Sequence, residues 1–144
     1  MITGRDFIQL ANRWSGLPSG GEAVWRTAIG RAYYGSFHVS KDFLIGIGII
    51  LPPKRDKKNE HIYVRQALSQ SANADAVEAA KSLGELHEYR KSADYYLELN
   101  EHDQKLAQHC HFLADDIRAR IAKCDASTHA AIRASIQRWQ AIIS

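Results

Sequence analysis

The sequence predicts an all-α fold, an up-and-down bundle of about five to six helices forming one domain over residues 1–144. Two observations carry this. Apolar residues recur at alternating steps of three and four along most of the chain, the spacing that lines one face of a helix. Breaks in that pattern are filled by glycine, proline and serine, and no segment alternates with the period of two that a strand requires.

Thr3, followed three residues later by Asp6, offers a side-chain acceptor and an acidic group at a helix start, so a first helix runs to about Ser15. The turn-rich stretch from Ser15 through Pro18 to Gly21 ends it, and Glu22 opens a long proline-free helix to about Ile47. Trp25, Ile29, Ala32, Ser36, Val39 and Phe43 form its apolar stripe, a face for a core or for a partner. The run from Leu51 to Asn59 contains Pro52 and Pro53, which lack an amide hydrogen and restrict the preceding residue, and reads as a basic, solvated loop. A short helix is expected from about Glu60 to Gln70. A longer one runs from about Ala74 to Tyr95, with Val77, Ala80, Leu83 and Leu86 in register. The next spans about Glu101 to Lys123, with Leu106, Cys110, Leu113, Ile117 and Ile121 on one side. Ser127 then caps a last helix carrying Ile132, Ile136, Trp139 and Ile143.

A formal charge of +3 permits a nucleic-acid partner without demanding one. The two cysteines, Cys110 and Cys124, and the absence of a basic, apolar leader point to a cytoplasmic chain with reduced thiols. Its most apolar stretch, around Phe43 to Leu51, is too short to span a bilayer, so no membrane segment is expected. His109, Cys110 and His111 are consecutive and would point about 100° apart on a helix, so neither a metal site nor any other cofactor is expected.

Two stretches carry a family resemblance. Arg31-Ala32-Tyr33-Tyr34-Gly35-Ser36-Phe37-His38 is similar to the Ala-Tyr-Tyr-x-x-Phe-His helix of the HEPN domains, and Arg90-Lys91-Ser92-Ala93-Asp94-Tyr95 to their Arg-x-x-Ala-Asp-Tyr helix end. Between them a helix bears His61, at a spacing typical of the family, and the match covers about residues 22–96. The resemblance implies a helical bundle that commonly dimerises. Many such proteins are metal-independent endoribonucleases of toxin–antitoxin or defence systems, neutralised by a nucleotidyltransferase-like antitoxin. In those, a His near a helix end activates the RNA 2′-hydroxyl while an Arg stabilises the charge growing on the phosphate. Here Tyr95 stands where the nucleases carry that His, and a phenol with a reference pKa of about 10 is a poor base at neutral pH.

The candidate site residues follow. Arg90 continues the stripe of Leu83 and Leu86, so its guanidinium must approach the interior or an interface, with Asp94 four residues on as the nearest anion. His87 lies on the same side. Arg90, Asp94 and Tyr95 are one catalytic candidate set, and Arg31 with His38, seven residues apart on one helix face with Thr27, Tyr34 and Asp42, is another. His87 with the loop residues Lys54, Arg55, Lys57 and Lys58 would contact RNA or a nucleotide. Two functions compete: a metal-independent endoribonuclease toxin, and a non-catalytic module that binds RNA, a nucleotide or a nucleotidyltransferase. A homodimer through the helix of residues 22–47 is expected in either case.

Overall fold

The computed structural model describes residues 1–52 and 57–144 and holds six α-helices, with no strand among the described residues. They are α1 (Gly4–Ser15), α2 (Gly21–Gly46), α3 (Lys57–Ser69), α4 (Ala74–Tyr95), α5 (Gln104–Lys123) and α6 (Ala126–Ile143). The fold is the all-α helical bundle that periodicity predicts. No helix among the described residues is long and apolar enough to cross a membrane.

Caps fix the boundaries. At α1 the Thr3 hydroxyl accepts from the Asp6 amide at 3.3 Å while the Asp6 carboxylate accepts from the Thr3 amide at 2.7 Å, a reciprocal capping box. Three expected boundaries move. α5 begins at Gln104 rather than Glu101, because the short Asp103 side chain reaches back to the Leu106 amide at 2.9 Å. α6 is capped by Asp125, which accepts from the Ser127 amide at 3.1 Å, so Ser127 lies inside the helix it was expected to cap. Lys57 and Lys58 belong to the first turn of α3 and not to a loop, since no proline follows Pro53 to stop a helix there. Lys54 and Arg55 lie outside the described residues.

Helix α2 is the centre of the bundle and packs on α1, α3, α4 and α5. Its stripe is core: Ile29, Ala32 and Ser36 are completely buried, and Trp25, Val39 and Phe43 pack against them. The middle of that stripe is thus used within the chain itself, while its ends at Trp25, Val39 and Phe43 are only partly buried. The Ser36 and Ser40 hydroxyls donate to the carbonyls of Ala32 and Ser36, which keeps these buried polar groups satisfied within the helix. Leu83 and Leu86 of α4 and Cys110, Ile117 and Ile121 of α5 close on the same core. Full burial of each leucine or isoleucine contributes on the order of 1.5–3 kcal/mol. α6 packs on α3 and on the segment after α2, with Ile132 and Ile136 buried and the Trp139 ring 5.1 Å from that of Tyr63. Ile143, expected on the same stripe, is exposed because the helix outruns its support.

Helices α1 and α2 approach so closely that their backbones touch. A Cβ on Gly35 would lie 2.7 Å from the Gly4 carbonyl oxygen and 2.7 Å from Ile8 Cγ1, and one on Gly4 would lie 2.6 Å from the Gly35 carbonyl oxygen. By contrast, a Cβ on Gly30, one turn earlier in α2, meets nothing within 4 Å. Gly35→Ala should therefore destabilise the protein by about 1–3 kcal/mol through overpacking, whereas Gly30→Ala should stabilise it by up to about 1 kcal/mol through helix propensity. Urea unfolding of both variants checks the contrast, and equal effects of the same sign would contradict this packing.

Candidate functional site

Tyr33 anchors the polar junction of α2, α3 and α4. Its side chain is 1% exposed, and its hydroxyl lies 2.6 Å from His61 Nδ1 on α3. Burial pushes the phenol up to about 12, and burial likewise holds His61 below the usual imidazole value. Both groups are therefore neutral and share one hydrogen bond, in which the imidazole tautomer sets which of them donates. The His61 ring stacks on Phe37 at 4.0 Å between centroids. Phe37 and the two tyrosines come from the motif that carries the family resemblance.

From α4, His87 comes within 5.3 Å of the Tyr33 ring and Arg90 within 6.0 Å. Arg90 lies where its helical register places it. Its guanidinium stands 5.0 Å over the Tyr34 ring, donates through Nη2 to the Tyr34 hydroxyl at 2.5 Å, and carries Nε 2.9 Å from Asp94 Oδ2. The Nε hydrogen is not aimed at that oxygen, so the contact is an ion pair rather than a directed hydrogen bond. His87 shares the Arg90 face, and its Nδ1 is buried without a hydrogen-bond partner. Burial first, and the Arg65 charge second, hold His87 below the normal imidazole value. Tyr95 does not join this group. It ends α4 two-thirds exposed, while Arg90 turns to Tyr34 and Asp94 instead.

Arg31 and His38 do share a face, and the Phe7 ring of α1 lies against both. The Arg31 guanidinium stands 5.3 Å above that ring and His38 stacks at 6.2 Å. Arg31 makes no hydrogen bond or ion pair among the described residues, and with Thr27, Gly30, Tyr34, Arg26 and Asp94 it lines a groove of about 270 Å³. The consecutive His109, Cys110 and His111 diverge: Cys110 is buried in the core, His109 faces Glu85 at 3.5 Å, and His111 lines a cleft with Arg5 and Asn12. Among the described residues no group of three potential metal ligands converges.

Two functional side chains are new to the structure. Arg26, 9% exposed, donates to the carbonyls of Ala93, Tyr96 and Leu99 at 2.7, 3.2 and 3.0 Å and pairs with Glu22 at 2.9 Å. It thereby ties the end of α4 and the turn after it to α2, and so fixes where Asp94 stands. Arg65 of α3 packs its side chain over Gly84 and has no ion pair or hydrogen bond among the described residues. Its place four residues after His61, on the same helix face, was the available sequence signal. Arg26 has a weaker one, the Glu22 four residues before it.

Comparisons of this chain with protein-family models, with curated proteins and with solved structures return no match.

The depressed histidines make stability depend on pH. An unfolded imidazole takes up its proton near pH 6.5 while the folded His61 and His87 resist it, so stability is full above that value. It is lost as the pH falls from there through the lower folded-state values. The melting temperature should thus drop between about pH 7.5 and about pH 5.5, and His61→Gln should flatten the drop. A pH profile unchanged in that variant would remove His61 from the cause.

Proposed function

We propose that this chain is a HEPN-like domain that binds RNA or nucleotide phosphates at the junction of α2, α3 and α4. One observation carries the reading: Arg65 and Arg90, with His61 and His87, stand around Tyr33 at this junction, and Arg31 lines the adjoining groove with Tyr34 and Asp94. Asp94 is taken by Arg90 and Glu60 by Lys41, which leaves Arg31 and Arg65 without an anion among the described residues. A half-buried guanidinium without a carboxylate favours a phosphate, whose geometry its planar fork matches. The reading takes the chain as a binding module first, because Arg90 is not joined to any histidine in the position a cleaving enzyme of this kind would use. The partners that go with it are a second copy of the chain, meeting it elsewhere than the buried middle of the α2 stripe, and a nucleotidyltransferase-like antitoxin.

Fluorescence anisotropy with a labelled single-stranded RNA tests it. Each of Arg31→Ala, Arg65→Ala and Arg90→Ala should weaken binding roughly tenfold, and each should flatten the salt dependence by about 0.7 in log–log slope, the share of one lost phosphate contact. No binding by the folded wild type at low salt would end the proposal.

The meeting of Arg31 and His38 at Phe7 supports a second reading, metal-independent RNA cleavage. On that reading RNA is cut in the presence of EDTA, and His38→Ala lowers the rate by about a hundredfold or more, as loss of a general base does. Structured and single-stranded RNAs that stay intact with the wild type eliminate it and leave binding as the function.

A further inference from the structure

We propose that the groove between α2 and the end of α4 holds one ribose-phosphate unit, recognised through its backbone and not its base. The inference rests on the nucleotide-binding reading above and names the ligand group that this groove takes. The groove's polar groups differ in what they have left to offer. Arg26 is committed to five partners in the protein, Glu22 and the carbonyls of Ala93, Tyr96, Leu97 and Leu99. The Thr27 hydroxyl donates to the Ala23 carbonyl at 2.7 Å and can only accept from a ligand. Tyr34 is the reverse case: its oxygen accepts from Arg90, so its own proton has no acceptor among the described residues. The Arg31 guanidinium, held by the Phe7 ring, has no acceptor for its N–H groups among the described residues. Asp94 gives Oδ2 to Arg90 and keeps Oδ1, on a side chain 40% exposed.

The complement of this set is a ligand that is anionic at one point and donates a hydrogen bond at another. A phosphate satisfies Arg31 and the Tyr34 proton. A bare anion would leave Asp94 facing negative charge, whereas a sugar hydroxyl donates to it, as the ribose 2′-hydroxyl can and deoxyribose cannot. At about 270 Å³ the groove is smaller than the roughly 300–1,000 Å³ of sites that enclose a whole drug-sized ligand. A sugar and its phosphate fit that scale, and the base is left outside. Gly30 leaves this space open, since a Cβ there meets nothing within 4 Å.

The unit can come from an RNA strand or from a free mononucleotide, and competition separates the two. Anisotropy of a labelled RNA oligonucleotide should exceed that of the same-sequence DNA by about tenfold in affinity, with little dependence on base composition. Displacement by adenosine 5′-monophosphate at concentrations where inorganic phosphate is inert identifies the free nucleotide as the ligand; retention of the RNA identifies the strand. Gly30→Leu, which fills the groove, and Tyr34→Phe, which removes the free proton, should each weaken binding about tenfold. Circular dichroism shows whether each variant folds, and the second carries the test if the first does not. DNA bound as tightly as RNA, or both folded variants binding like wild type, overturns the inference. If Arg65→Ala still loses RNA in that case, the nucleotide-binding reading survives without this groove. If the wild type binds neither RNA nor nucleotide, both fall together.

Discussion

The burial of the Tyr33 phenol is the constraint from which the junction of α2, α3 and α4 follows. A hydroxyl inside the protein must keep a hydrogen-bond partner, or its desolvation costs about 1–3 kcal/mol. His61 supplies that partner at 2.6 Å, and its ring stacks on Phe37. α3 is thereby pinned to α2 by a polar contact wrapped in aromatic rings. The other edge of Tyr33 meets His87 and Arg90, so the same ring also sets how α4 lies across the pair.

The arginines of this protein fall into two kinds. Arg118 and Arg120 reach Asp115, Asp116 and Asp75, and Arg26 satisfies the backbone carbonyls that the end of α4 leaves unpaired. Their charge is used within the fold. Arg31 instead rests on the Phe7 ring, which orients its guanidinium without neutralising it, while Arg90 combines a contact with the Tyr34 ring and an ion pair to Asp94. A stacked cation keeps its in-plane N–H groups for something else. Arg31 thus differs from the arginines whose charge is spent within the bundle, and it lines the same groove as Tyr34.

Asp94 links the two sets. Its position depends on Arg26, which draws the α4 terminus against α2, and its charge is shared with Arg90 on the same helix. The clasp of Arg26 and the Arg90–Asp94 ion pair thus meet at the end of α4. The turn is secured again from the other side, where Ser92 meets the buried His102 at 2.9 Å.

The helices, the core stripes of α2, α4 and α5, and the pairing of Arg90 with Asp94 were legible in the sequence, because they follow from spacing along one chain. A step of four residues on a helix brings two side chains together whatever the tertiary structure does. Caps were legible in kind but not always in position: Asp103 and Asp125, and not Glu101 and Ser127, stand at the helix starts and accept from the free amides there. Tertiary structure decided everything that joins residues far apart in sequence. The hydrogen bond between Tyr33 and His61, the Arg90 contact with Tyr34, the grip of Arg26 on the carbonyls after α4 and the backbone contact of Gly4 with Gly35 all cross between elements. No periodicity encodes them, since they depend on which helix faces meet and how closely. The sequence by itself determined which residues form faces, and the packing of α2 against its neighbours decided which of those faces became core and which became a site.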